Sequence, residues 1–211
     1  RIAIVATKTA DQLDLQALHR VRERLVSQRT GIINQIRAFL LERGIAVRQG
    51  QRFLRAELPR LLATPPDVLL PRMVRIIEDL AGDWRRLDER VQGLSSEIQA
   101  IARQDAGCER LLSVPGIGPI ISSAMVAAIG AGDAFCKGRD FAAWLGLTPR
   151  ERSTGGKQRM GGISRAGDER LRQLLVIGAT AVIRHVKPGS RNASAWLLSL
   201  LERRPRKVAA V

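Results

Sequence analysis

Hydrophobic residues recur at helical spacing along most of the chain. Between residues 11 and 43 the spacing predicts one long amphipathic helix, whose apolar stripe is Leu18, Val21, Leu25, Ile32, Ile36 and Phe39. A second series alternates steps of three and four residues without interruption: Ile77, Leu80, Trp84, Leu87, Val91, Leu94, Ile98 and Ile101. Such a heptad seam, with Pro71 suited to a first helical turn, predicts a second long helix over residues 71–104.

The two long helices predict an antiparallel coiled-coil hairpin, with residues 44–70 at its tip. Gly44 is a typical helix end, a short helix is expected over residues 50–62, and "TPPDVLLPR" is a proline-rich break. Seams of this kind set spacing or oligomeric state, so the hairpin could also join two copies of the chain.

A separate, compact helical domain is predicted from residue 106, so the fold class is all-α, with domains over 1–105 and 106–211. In it "LLSVPGIGPIISSAMVAAIG", residues 111–130, matches the helix-hairpin-helix pattern. Gly116, Ile117 and Gly118 form the turn, and backbone N–H groups at the start of the second helix could bind a DNA phosphate. The alternative is an ordinary helical turn, because Pro-Gly turns are common.

Three more helices are predicted downstream. A short one lies in "GRDFAAWLGLTP", with Phe141, Trp144 and Leu145 on its buried side. The others are expected over residues 166–186 and 192–203.

Composition narrows the choice of partner. The chain of 211 residues is 45% hydrophobic and 3% aromatic, which indicates an aliphatic core, and its net charge of +15 indicates a polyanion. Residues 137–211 carry 16 Lys and Arg against 5 Asp and Glu. DNA is favoured over a membrane, since no run approaches transmembrane length. The two cysteines, which lack zinc-ligand spacing, and the absence of a signal peptide favour the cytoplasm.

The surplus of positive charge surrounds a glycine-rich loop, "TPRERSTGGKQRMGGISRAGDERLR", residues 148–172. A serine there could attack a DNA phosphodiester or could simply form a turn. The candidate nucleophile is Ser153, with Thr154 beside it. The candidate DNA contacts around it are Arg150, Arg152, Gly155, Gly156, Lys157, Arg159 and Arg165.

Other chemistries fit the loop poorly. Lys157 follows two glycines but precedes Gln158, which excludes a nucleotide-binding P-loop. His185 has no elbow motif or orienting acid, as a Ser-His-Asp hydrolase would need. The acidic residues after position 106 form no recognisable cluster, so no metal ligand is assigned to this chain.

The segments "LHRVRERLVSQRTGIINQIRAFLLERGI", "ARQDAGCERLLSVPGIGPIISSAMVAAIG", "GRDFAAWLGLTPRERSTGGKQRMGGISRAGDERLRQLLVIGA" and "RKVAAV" together resemble insertion-sequence transposases of the IS-one-ten class. These bacterial DNA recombinases have a resolvase-like Asp-Glu-Asp-Asp domain, a coiled-coil insertion and a C-terminal domain with a catalytic serine. The resemblance implies that Ser153, after Gly-Leu-x-Pro-Arg and before Gly-Gly, cleaves DNA and holds it as a phosphoserine ester. It also implies Mg²⁺ in the acidic domain and a structured guide RNA.

No Asp-Glu-Asp-Asp domain precedes Arg1, and the chain has no initiator Met. It is therefore expected to be a C-terminal portion, cut short at its end, nucleoid-associated, and inactive without the acidic domain. The predicted function is DNA transposition, with a serine nucleophile for strand cleavage and rejoining. The alternatives are a non-catalytic helix-hairpin-helix DNA-binding module and a structural coiled-coil protein, which would leave the positive charge unexplained.

Overall fold

The computed structural model describes residues 7–63, 65, 68–187, 189–190 and 193–211. These residues belong to two compact units. Unit 1 comprises the described residues of Arg1–Ala17 and Ile98–Val211, and unit 2 is formed by those of Leu18–Glu97. The predicted domain boundary after residue 105 stays a prediction.

The described part of the chain is mostly helical, which confirms the predicted class. The helices are α1 Ala10–Leu41, α2 Gln51–Leu62, α3 Pro71–Gln104, α4 Ala106–Leu112, α5 Pro119–Ile129, α6 Gly138–Trp144, α7 Glu169–His185, α8 Ala195–Arg203 and α9 Arg206–Ala209. One element was not predicted: the glycine-rich loop folds into a two-stranded antiparallel sheet of β1 Pro149–Glu151 and β2 Met160–Ile163.

In unit 2, α1 and α3 pack side by side through polar as well as apolar contacts. Arg22 Nε donates to Ser95 Oγ at 2.7 Å, and Arg29 Nη1 donates to Asp88 Oδ1 at 2.9 Å. Residues seven apart on α1 therefore meet residues seven apart on α3 in the reverse order, so the helices run antiparallel. Supercoiling and the joining of two copies stay predictions.

Unit 2 contains a buried apolar cluster. It draws on α1, α2, α3 and the segment before α3, and its buried members are Ile33, Ile36, Leu40, Leu54, Leu61, Leu69, Ile77 and Trp84. On α3 the predicted seam is most buried at every seventh residue, from Ile77 through Trp84 and Val91 to Ile98. The proline-rich break includes residues 64, 66 and 67, which lie outside the described residues.

The predicted stripe of α1 is partly wrong. Val21 is 45% exposed, whereas Ile33 and Leu40, which the stripe omitted, are buried. Two of the positions that face α3 hold arginines, Arg22 and Arg29, as their hydrogen bonds show. A stripe drawn through apolar residues alone omits such positions. A long side chain can bury its aliphatic stem there while its polar end keeps a partner.

Unit 1 is built around α5, α6 and α7. Its buried cluster contains Ile121, Met125, Leu145, Leu171 and Leu174. The first turns of α1 are fastened to the end of α5: Gln12 donates to the Val126 carbonyl at 3.2 Å and Gln16 to the Ala127 carbonyl at 3.0 Å. The Val126 carbonyl also accepts from the Gly130 N–H at 2.8 Å, so Gln12 adds a second bond there. Ala127 is among the last four residues of α5, whose carbonyls the regular helix pattern leaves to other donors.

Two predictions about the later helices need correction or limits. Trp144 is 38% exposed rather than buried, because α6 ends at this residue and Leu145 enters the core instead. The Trp144 ring packs against the rings of Phe135 and Phe141, at centroid distances of 5.8 and 6.0 Å. The predicted start of the last helix at residue 192 lies outside the described residues, and α8 begins after Ser194, whose side chain accepts from the Leu197 N–H.

No helix in the described part of the chain is both long enough and apolar enough to span a bilayer.

Candidate nucleic-acid interface and serine hairpin

The sheet of β1 and β2, which we call the serine hairpin (residues 149–163), rises from a point where two backbone segments touch. At Gly146 (φ +72°) an added Cβ would lie 2.0 Å from the Ala166 carbonyl oxygen. At Gly167 (φ +92°) it would lie 1.8 Å from the carbonyl oxygen of Trp144. Only glycine fits either position, so both residues fix where the hairpin leaves the helical core.

A buried arginine ties the same base together. Arg172 is 8% exposed, and its Nη1 donates to the Leu145 carbonyl at 2.7 Å. Arg165 closes the other side with a backbone N–H bond of 3.0 Å to the Gly146 carbonyl, in a left-handed conformation with φ +56°. Such a conformation is strained for a non-glycine residue, so the surrounding contacts must hold it in place.

The two strands pair with an irregularity. Pro149 lies opposite Ile163 and Glu151 opposite Met160, so β2 contains one extra residue, a bulge in the Gly161-Gly162 region. At the tip, Thr154 and Lys157 form a bridge around Gly155 (φ +57°) and Gly156 (φ +77°). Positive φ at both central residues is typical of a two-residue type I′ turn. All residues from 151 to 162 are exposed to solvent.

Ser153 has a carboxylate partner that the sequence analysis missed. Its Oγ donates to Glu151 Oε1 at 2.7 Å and accepts from the Arg159 backbone N–H at 3.1 Å. Residues two apart on a strand lie on the same face, and this spacing was the available signal. It was overlooked because the segment was predicted to be a loop. The Glu151 carboxylate can orient the serine hydroxyl and can accept its proton.

Four of the predicted DNA contacts come together in one groove. Arg150, Arg152, Arg159 and Arg165 line a space of about 970 Å³, which we call the arginine groove. Lys207 of α9, which the sequence analysis did not single out, lines it too. Arg150 uses part of its guanidinium to hold the hairpin, through bonds of 3.2 and 2.8 Å to the Ser164 carbonyl.

The floor of the arginine groove is apolar. It is formed by Met160 and Ile163 of β2 and by Val208 and Val211 at the end of the chain. Its described lining contains no Asp or Glu side chain, and neither Ser153 nor Lys157 belongs to it.

The predicted helix-hairpin-helix turn lies between α4 and α5, and its three candidate residues differ in environment. Gly116 has φ +88°, and an added Cβ would lie 2.8 Å from the Gly178 carbonyl oxygen of α7. Ile117 packs against the core of unit 1, and its N–H donates to the Val114 carbonyl at 3.0 Å. Gly118, with φ −101°, starts α5 beside open space. Pro119 has no N–H, and the Ile121 N–H donates to the Gly118 carbonyl at 3.0 Å. A phosphate could therefore approach the N–H groups of Gly118 and Ile120.

Substitution by alanine at Gly116 and Gly118 should separate folding from binding. Gly116→Ala should destabilise the protein by about 2 kcal/mol or more, because it combines positive φ with a backbone clash. Gly118→Ala should change the free energy of unfolding by less than about 0.5 kcal/mol while weakening DNA binding. Urea unfolding and DNA titration measure the two effects. Normal DNA binding by a folded Gly118→Ala variant would contradict the predicted phosphate contact.

The Cys108 thiol is buried in unit 1. Burial raises the pKa of the Cys108 thiol to about 11, so this thiol stays protonated and unreactive at neutral pH. Among the described residues, no group of three or more His, Cys, Asp or Glu side chains could hold a metal ion.

Comparison with known proteins shows that the chain is similar to transposases of insertion sequences. Residues 108–195 match the model of the transposase IS116/IS110/IS902 family. A probable family 20 transposase of Pseudomonas aeruginosa is 46% identical over 208 residues, which are 98% of this chain and 62% of the relative. The transposases for IS1111A of Coxiella burnetii and IS1328 of Yersinia enterocolitica are 39% and 37% identical, again over 98% of this chain.

These comparisons confirm the predicted resemblance to insertion-sequence transposases. The chain spans about three fifths of the length of the three relatives, 62%, 57% and 61% respectively.

Proposed function

We propose that this chain, which carries a transposase domain of the IS116/IS110/IS902 family at residues 108–195, is the serine-bearing portion of a DNA transposase. In this proposal Ser153 cleaves a DNA strand and later releases it to a new end. The observation that carries the proposal is the hydrogen bond of 2.7 Å between Ser153 Oγ and the Glu151 carboxylate, on an exposed hairpin rich in arginine.

The cleavage step is a transfer of a phosphodiester to serine. The Ser153 oxygen attacks phosphorus, its proton passes to the Glu151 carboxylate, and the bond from phosphorus to one deoxyribose oxygen breaks. That oxygen takes up a proton as it leaves, and a phosphoserine ester remains. Attack of a new DNA hydroxyl on the ester rejoins the strand and frees the serine.

The serine hairpin offers groups that suit the charge of this transition state. Positive φ at Gly155 and Gly156 turns the backbone tightly beside Ser153, without side chains that would keep a phosphate at a distance. Of the cations close by in sequence, Arg152 and Arg159 line the arginine groove, whereas Lys157 does not and can approach the attacked phosphate. Its ammonium group would bind a phosphate oxygen as a point charge.

Among the described residues, no group of acidic, histidine or cysteine side chains fits a Mg²⁺ site. We propose that the metal-binding carboxylates belong to a separate acidic domain, and that this chain is inactive without it. A structured guide RNA and a second copy of the chain, joined through α1 and α3, complete the proposed assembly. Association with the nucleoid follows from the proposed DNA binding.

DNA binding itself is proposed to rest on phosphate contacts at the arginine groove and at the start of α5. Affinity should therefore fall steeply with salt and depend weakly on base sequence. The second candidate function, a DNA-binding module without catalysis, is favoured by one observation: the described lining of the arginine groove does not include Ser153.

A chimera distinguishes these two functions. The aligned segment of the Pseudomonas aeruginosa relative is replaced by this chain, and the product is incubated with labelled insertion-element ends, guide RNA and Mg²⁺. The chimera should form a covalent protein–DNA adduct on a denaturing gel, whereas the chain alone should bind DNA without an adduct. If the unaltered relative forms the adduct and a folded, DNA-binding chimera does not, the non-catalytic function is correct.

Glu151→Gln tests the proposed proton acceptor with little change in size. The amide can still accept a hydrogen bond from Ser153 but cannot take its proton, so adduct formation in the chimera should slow by roughly 100-fold or more. DNA affinity should stay nearly unchanged. An adduct rate equal to that of the wild type would contradict proton transfer to Glu151 and leave it at most an orienting role.

A further inference from the structure

The serine hairpin has two different faces. Side chains alternate along extended backbone, so Arg150 of β1 and Arg152, just after this strand, lie on one face, and Glu151 and Ser153 lie on the other. The lining of the arginine groove agrees with this alternation, because it includes the two arginines and neither of the other two residues. The arginine groove therefore lies on the face of the hairpin opposite Ser153.

The arginine groove has the composition of a site for an unpaired nucleic-acid strand. Its cations suit a phosphate backbone, and its described lining offers no Asp or Glu side chain that would repel one. A duplex presents phosphates and sugars and keeps its base faces stacked. An apolar floor gains free energy only from bases that are free to lie on it, as in other single-strand sites.

The size and construction of the groove agree with a short stretch of strand. Its volume of about 970 Å³ is near the upper end for sites that enclose small ligands. Its far wall is α9, which packs against α7 and α8, with Ala210 7% exposed. Lys207 and Val208 are thereby held opposite the hairpin before any ligand arrives.

We propose that the arginine groove binds an unpaired phosphodiester strand other than the phosphate that Ser153 attacks. Phosphates contact Arg150, Arg152, Arg159, Arg165 and Lys207, and the bases lie on the apolar floor. This inference rests on the proposed function, because it distinguishes the strand bound in the groove from the strand that Ser153 cleaves. Strand binding itself requires no chemistry and can be measured on this chain without the acidic domain.

Two neighbouring charge reversals on α9 test the proposal. Lys207 lines the groove, whereas Arg206, which is also exposed and on the same short helix, does not. Fluorescence anisotropy of the full chain at about 0.15 M salt measures binding of single strands of about 12 nucleotides, oligo(dT) and oligo(U), and of a duplex of equal length. The two single strands separate DNA from RNA as the source of the phosphodiester.

Lys207→Glu should weaken binding of at least one single strand by about tenfold, and Arg206→Glu by less than about threefold. Val208→Asp should also weaken single-strand binding more than duplex binding. Equal losses for Lys207→Glu and Arg206→Glu would show a response to net charge alone and overturn the proposal. Losses equal for duplex and single strand would overturn the preference for unpaired bases.

The outcome is separable from that of the catalytic proposal. Ser153→Ala should bind the single strands as the wild-type chain does, because Ser153 does not line the groove. A chimera that forms no adduct would refute the serine mechanism. The loss of single-strand binding in Lys207→Glu would still support the groove. A normal adduct, together with equal binding losses for Lys207→Glu and Arg206→Glu, would refute only the proposal that the groove binds a strand.

Discussion

Replacing Ser153 with alanine should remove the covalent protein–DNA adduct formed by the chimera, with a loss of at least about 1,000-fold. The substitution deletes the oxygen that would join the phosphorus. Folding should be unaffected, because Ser153 is exposed and its hydroxyl contacts only Glu151 and the Arg159 N–H among the described hydrogen bonds. DNA affinity should remain within about twofold of wild type.

Thr154→Ala is the matched control for this experiment. Thr154 lies next to Ser153 and is equally exposed, but it takes part in the hairpin turn through its bridge with Lys157. Its substitution should leave most of the adduct. An adduct that persists in Ser153→Ala and disappears in Thr154→Ala would place the nucleophile one residue later, and persistence in both would refute the serine mechanism.

Gly167→Ala should be among the most destabilising single-methyl changes in unit 1, with a loss of about 3 kcal/mol or more in the free energy of unfolding. The new Cβ would lie 1.8 Å from the Trp144 carbonyl oxygen at φ +92°, so the base of the serine hairpin would have to open. Urea unfolding followed by circular dichroism measures the loss. Adduct formation should fall as well, since the hairpin would no longer be held against the core.

Gly155→Ala separates the cost of a positive φ from the cost of a clash with the backbone. Gly155 also has positive φ, at +57°, but an added Cβ would meet no atom within 4 Å. It should lose only about 1–2 kcal/mol, the usual penalty for an L-residue in the left-handed region. If Gly167→Ala loses no more than Gly155→Ala, the backbone contact at the hairpin base does not constrain the fold.

The long helices could be predicted because their signals are redundant. For α3 the seam and the opening proline agreed, and the helix has the predicted bounds, Pro71–Gln104. For α1 the extent was close, but its stripe was wrong at Val21, since Arg22 and Arg29 face α3. Hydrophobic periodicity records apolar residues and cannot register an arginine that is partly buried by pairing.

The serine hairpin could not be predicted from periodicity, because nearly all of its residues are exposed and no apolar alternation marks its strands. The signal that was present is local: Gly155 and Gly156 side by side suit a type I′ turn. Reading that turn would have placed Glu151 and Ser153 on one face of a strand. It would also have divided the arginines from the nucleophile.

The candidate site was only partly accessible to sequence reasoning. Ser153 and the arginines around it follow from a motif and its resemblance, since they are close together along the chain. Lys207 and Val208 enter the arginine groove from α9, more than 40 residues beyond β2. Their approach depends on how α9 packs against α7 and α8, which no local pattern encodes.

The central claim is that Ser153 carries the DNA, and peptide mass spectrometry of the trapped adduct tests it most directly. Cleavage after Arg152 and Lys157 releases the peptide "STGGK", residues 153–157, whose only hydroxyl side chains are Ser153 and Thr154. After nuclease digestion of the DNA, fragmentation of this peptide should place a nucleotide phosphate on Ser153. A nucleotide on Thr154, or on any other peptide, would contradict the claim.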